Sequence, residues 1–128
     1  MNSLFSYVVV FCGAGLGGML RHAVNGLGMR LGTTFPWSTL FVNVTGCLIM
    51  GVLAGWFTFR GEGSRQALRL FLTTGVLGGY TTFSAFSLDT ALLWQRGQYG
   101  LATLYVGASV LAALAGIFVG LSLMRRLL

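Results

Sequence analysis

Nearly every charge in this chain sits at the end of a long apolar run, and that spacing limits the fold more than any other feature. The runs extend from about Leu4 to Leu20, Trp37 to Phe59, Leu70 to Trp94 and Tyr99 to Met124, and only Asp89 interrupts them. Each reaches the roughly 20 residues that cross a hydrocarbon core as a helix. Lipid offers no hydrogen-bond partners, so a spanning backbone must satisfy itself, and a helix does so within one segment. The expected fold is an all-α membrane protein with four transmembrane helices over about 4–21, 37–59, 70–94 and 99–124, forming one domain over 1–128.

The charges that remain are topology markers. All eight basic residues are arginines, against the acids Glu62 and Asp89, and the net charge is +6. The arginines punctuate the apolar runs instead of forming the basic patch that nucleic acid needs. Gly32 to Pro36 reads as a turn and Gly61-Glu62-Gly63-Ser64 as a polar loop. Trp37, Trp56, Trp94 and Tyr99 fall near the membrane interfaces, where amphipathic rings settle. The first run has no basic segment before it and no clear cleavage site after it, so it is expected to be a retained helix. Cys12 and Cys47 lie within apolar runs without metal-ligand spacing and read as buried free thiols.

Glycines recur four residues apart in each segment, at Gly13 and Gly17, Gly51 and Gly55, Gly75 and Gly79, Gly116 and Gly120. Helices in lipid associate through close packing, which small residues permit, so the chain is expected to pack tightly within itself or against a copy. Four helices leave little space for a central pore, which favours an oligomer. With four spans, Arg60, Arg65, Arg69, Arg125 and Arg126 share one side, and Arg21, Arg30 and Arg96 the other. So small a bias permits insertion in both orientations, and hence an antiparallel dual-topology homodimer.

Within the third run, Gly78-Gly79 and then Thr81-Thr82 are poor helix material, and a break is expected over 78–82. At membrane depth an interrupted backbone is tolerated only where protein buries it or where it lines a cavity, so the break marks a binding or conduction site. A helix restarting near Thr81 to Phe83 points its positive dipole end into the membrane, where it attracts anions. Beyond it Phe83 and Phe86 share one face, and Ser84 and Ser87 an adjacent one. Ring edges carry the positive part of the aromatic quadrupole and suit an anion. Asn43 on the second helix, and Tyr105 and Ser109 one turn apart on the fourth, add neutral donors. Such groups can replace an anion's water without holding it too tightly to leave. Asp89 has either a structural role or one in shaping access. His22 beside Arg21 reads as an interfacial side chain. No serine elbow, carboxylate pair, phosphate loop or metal cluster is evident, so the chain is not expected to be an enzyme.

At Gly78-Gly79-Tyr80-Thr81-Thr82-Phe83-Ser84-Ala85-Phe86-Ser87, with Thr39-Leu40-Phe41-Val42-Asn43 and Tyr105-Val106-Gly107-Ala108-Ser109, the chain resembles the Fluc (CrcB) fluoride channels. The resemblance covers essentially the whole chain. It implies an antiparallel homodimer in the bacterial inner membrane that passively exports fluoride through two pathways. It assigns the pathway to Asn43, Phe83, Ser84, Phe86, Tyr105 and Ser109, and the pore entrance to Arg21. It also implies a structural Na⁺ at the dimer centre, held by backbone carbonyls of Gly78 and Thr81 from each subunit. Ala85, Tyr80, Asp89 and Ala113 depart from the family's usual residues. Two other readings stand beside this one. A small multidrug-type proton-coupled exporter of organic cations needs an embedded carboxylate in the first helix, and Leu4 to Leu20 has none. A non-transporting assembly subunit explains the glycines but not the break.

Overall fold

A computed structural model describes residues 2–60 and 65–128 of the chain; the polar loop expected at 61–64 lies outside them. All regular structure among the described residues is helical: α1 (Ser3–Met29), α2 (Trp37–Arg60), α3 (Gln66–Leu70), a π-helical segment (Phe71–Leu77), α4 (Gly78–Tyr80), α5 (Phe83–Gln95) and α6 (Tyr99–Leu127). Helices α1, α2 and α6 are each long and apolar enough to cross a membrane. The third run, by contrast, is divided among four short helical pieces spanning residues 66–95.

The ends of these helices have local causes. Asn2 caps α1, its Oδ1 accepting from Leu4 N–H at 3.0 Å. Helix α1 does not stop at Arg21 as expected from the charge but continues to Met29. Arginine is a good helix former, and nothing from His22 to Met29 forbids helix; a charge marks a membrane edge, not a helix end. Gly32 at φ 65° makes the turn that follows, and α2 starts directly after Pro36. At the other end of the chain, α5 closes in a Schellman motif around Gly97 at φ 78°. Gln98 N–H donates to the Leu93 carbonyl at 2.9 Å and Gly97 N–H to that of Trp94 at 3.0 Å. This turn lets α6 begin at Tyr99, and it runs three residues past the expected Met124 to Leu127.

Packing follows the glycines. A Cβ on Gly17 would run into the Val76 carbonyl oxygen and lie 2.8 Å from the Tyr80 nitrogen, so α1 meets the π-helical segment and α4 backbone to backbone. Likewise a Cβ on Gly120 would lie 2.5 Å from the Leu48 carbonyl oxygen, which is how closely α6 approaches α2. Each of the eight paired glycines faces another helix of the same chain, so the pairs are consumed by internal packing. The third run changes neighbours along its length: its first half lies on α1, whereas α5 lies on α6. There Leu93, Ala102 and Tyr105 form a buried cluster with Phe35, Leu40, Phe86 and Leu101 against it.

Candidate functional site

The site is built on the change of course in the third run. Thr81 at ψ 158° and Thr82 at φ −153°, ψ 117° are extended, so the backbone leaves the helix for two residues and re-enters at Phe83. The break is therefore narrower than the 78–82 expected, because Gly78, Gly79 and Tyr80 remain helical. The threonines are where the backbone opens. Gly79 is needed for approach, since a Cβ there would strike the Ala14 carbonyl oxygen of α1.

An opened backbone in an apolar setting needs substitute partners, and Asn43 supplies them. Thr82 N–H donates to Asn43 Oδ1 at 2.8 Å, and Asn43 Nδ2 donates to the Thr82 carbonyl at 3.0 Å. In a continuous helix the Thr82 N–H would go to the Gly78 carbonyl; here that carbonyl gives up its helical donor to the amide. Thr82 also caps α5, its Oγ1 accepting from Ala85 N–H at 3.1 Å. Thr81 Oγ1 turns back to the Leu77 carbonyl at 3.0 Å. A second tie from α2 joins Thr45 Oγ1 and the Tyr80 hydroxyl at 3.0 Å. The positive end of α5 thus begins at a turn that Asn43 clamps and the Thr82 hydroxyl caps at Ala85 N–H.

Beside this turn lies a groove of about 260 Å³. Phe83 and Phe86 form one wall, Asn43 and Cys47 of α2 another, and Ser109, Val110 and Ala113 of α6 a third. The two phenylalanine rings lie 5.5 Å apart at 48°. Phe86 continues inward to Tyr105 at 5.2 Å, whereas Phe83 is 79% exposed at the mouth. Ser109 is buried, and its hydroxyl has no hydrogen-bond partner among the described residues. A hydroxyl without a partner costs free energy unless something visits it. Asn43 uses one of its two amide N–H groups on Thr82, so it too retains a donor.

The expected residues separate on inspection. Asn43, Phe83, Phe86 and Ser109 converge on the groove, and Thr81 joins them. Tyr105 does not: it is fully buried behind Phe86, and its hydroxyl donates to Asp89 Oδ2 at 3.1 Å. Asp89 in turn lines a second cavity of about 240 Å³ with Thr39 and Arg96. Ser84 is exposed and lies 3.3 Å from the Thr82 hydroxyl, outside the groove, and the Ser87 hydroxyl bonds the Phe83 carbonyl of its own helix. Gly78 opens on a third cavity, about 410 Å³, with Thr73 and Thr74. Arg21 borders none of the three. Sequence reasoning missed Thr82 as the capping residue and Cys47 as a groove wall. The second was within reach, because Cys47 is one helical turn from Asn43.

Comparison with known proteins adds to this geometry. Residues 8–121 match the family described as CrcB-like protein, Camphor Resistance (CrcB). The chain is 59% identical over 123 residues to a fluoride-specific ion channel FluC of Rhodopseudomonas palustris, covering 95% of this chain and 98% of the relative. It is 56% identical to fluoride-specific ion channel FluC 2 of Nitrobacter hamburgensis over the same shares. It is 49% identical to fluoride-specific ion channel FluC of Granulibacter bethesdensis, with 98% of each chain covered.

Proposed function

Because this chain belongs to the CrcB-like protein family, we propose that it is a fluoride-selective ion channel that lets fluoride leave the cell passively. The observation that carries the reading is the groove at the helix break, where a ring pair and the unpartnered Ser109 hydroxyl share one largely apolar cavity. An anion entering it gives up water. Ser109, the remaining N–H of Asn43 and the rims of Phe83 and Phe86 take that water's place, and none of them is a fixed cation that would trap the ion. The positive end of α5 adds a favourable potential at the same depth. An inside-negative membrane, worth about 2.3 kcal/mol per elementary charge per 100 mV, drives the anion outward without a pump.

The same reading takes the chain as four spans in the inner membrane, paired in antiparallel orientation. Exposed Phe83 leaves the groove open on one side, as a wall completed by a second copy would. Arg21 serves at the entrance, and Ser84 and Tyr105 flank the route, Tyr105 from behind Phe86. A structural Na⁺ fits the backbone: the Gly78 carbonyl has lost its helical donor to Asn43, and a hard cation prefers such oxygens, here with the Thr81 carbonyl. Sodium would pin the two broken segments together and would not be transported. The multidrug-type exchanger gains nothing from the fold, since α1 carries neither Asp nor Glu over Ser3–Met29.

The test is reconstitution in liposomes with fluoride- and chloride-selective electrodes. Fluoride efflux without chloride efflux is expected; equal passage of both ions removes the proposal.

A further inference from the structure

We propose that Cys47 is a modification site in the wall of the groove, open to thiophilic mercury(II), and that its occupancy closes the pathway. This rests on the channel reading above for its consequence, but the site itself rests on geometry. Cys47 is half-buried on α2, one turn beyond Asn43, and borders the same cavity as Phe83, Phe86 and Ser109. Ser109 is 6% exposed, and its hydroxyl is unpartnered among the described residues. A soft sulfur from α2 and an unengaged oxygen from α6 therefore share one cavity whose other surfaces are mostly carbon. At about 260 Å³ the space holds several waters of roughly 30 Å³ each, enough for a metal bound to sulfur. The other thiol, Cys12, is exposed on α1 and borders neither this groove nor the two further cavities.

Mercuric chloride is neutral, so it enters a largely apolar groove without the cost of stripping an ion. At Cys47 the S–H and one Hg–Cl bond break and an S–Hg bond forms, leaving Cys47–S–HgCl and releasing H⁺ and Cl⁻ with no change of oxidation state. Soft thiolate is the preferred ligand, and the metal drives off the proton. The adduct takes up space in the cavity that the ring pair and Ser109 also line, on the proposed route of the ion. Excess dithiothreitol exchanges the mercury away and reopens the route.

The experiment pairs fluoride efflux with the intact mass of the detergent-solubilised protein before and after mercuric chloride. For the native chain and for Cys12→Ser, treated flux is expected to fall at least tenfold below untreated flux and to return with dithiothreitol. For Cys47→Ser the treated-to-untreated ratio is expected to stay near one. Cys47→Ala serves the same purpose should the polar serine prevent folding. Mercury on Cys12 alone, or a Cys47→Ser protein blocked as strongly as the native chain, overturns the site. An untreated protein that passes no fluoride overturns the channel reading and the block together, and mercury found on Cys47 by mass then upholds the site alone.

Discussion

Replacing Asn43 with alanine tests the most distinctive contact in the molecule. The substitution deletes both bonds to Thr82, at 2.8 and 3.0 Å, and leaves the Thr82 N–H and carbonyl without those partners. A buried polar group left unpaired costs about 1–3 kcal/mol, so two cost about 2–6 kcal/mol together. Two routes relieve part of this. Water can enter the adjacent groove, or Thr82 N–H can return to the Gly78 carbonyl and straighten the third run. The expected loss therefore lies at the lower end, about 2 kcal/mol. An ordinary hydrogen bond between membrane helices averages about 0.6 kcal/mol in double-mutant cycles, or about 1.2 kcal/mol for two, which lies below the loss expected here. Equilibrium unfolding in mixed micelles gives the free energy, and amide hydrogen exchange reports on Thr82 directly. A loss of about 1.2 kcal/mol or less, with Thr82 still protected from exchange, would refute the clamp.

Other substitutions probe neighbouring parts of the account. Ser109→Ala removes a buried hydroxyl that has no partner, so stability is expected to hold or rise while fluoride flux falls; a loss of stability on unfolding contradicts this. Tyr105→Phe has the opposite signature: loss of the bond to Asp89 costs about 1–2 kcal/mol, while preference for fluoride over chloride persists because the hydroxyl lies outside the groove. Gly17→Ala places a methyl against the Val76 carbonyl, a backbone atom that cannot rotate away, and is expected to cost about 1–3 kcal/mol. Gly100→Ala meets nothing within 4 Å and is expected to stay within about 0.5 kcal/mol of the native chain in the same unfolding assay.

Much of this architecture is legible in the residues, though not always for the reason the sequence suggests. Apolar length alone locates α2 and α6, because hydrocarbon thickness sets it. Arg21 misleads about α1, since a charge can mark a membrane edge without ending a helix, and this helix continues to Met29. The break is visible as a cluster of poor helix formers, but Gly78 and Gly79 stay helical and only the threonines open. The π-helical segment at Phe71–Leu77 has no sequence signature; it packs on α1, where Gly13 and Gly75 bring the two backbones together. Likewise Asn43 and Thr82 are 39 residues apart, and no local pattern announces their pairing. Helical spacing puts Tyr105 and Ser109 on one face of α6, yet spacing carries no information about depth. The neighbour that Tyr105 finds is Asp89, whereas Ser109 finds the groove.

In the proposed channel the ring pair at the helix break carries fluoride. Fluoride efflux from liposomes holding the native chain, Phe83→Ile or Phe86→Ile, recorded beside chloride, tests it most directly. Isoleucine keeps the groove apolar but has no ring edge, so flux is expected to persist in the native chain and to vanish in both variants. Undiminished fluoride flux in folded Phe83→Ile and Phe86→Ile proteins would place the route elsewhere.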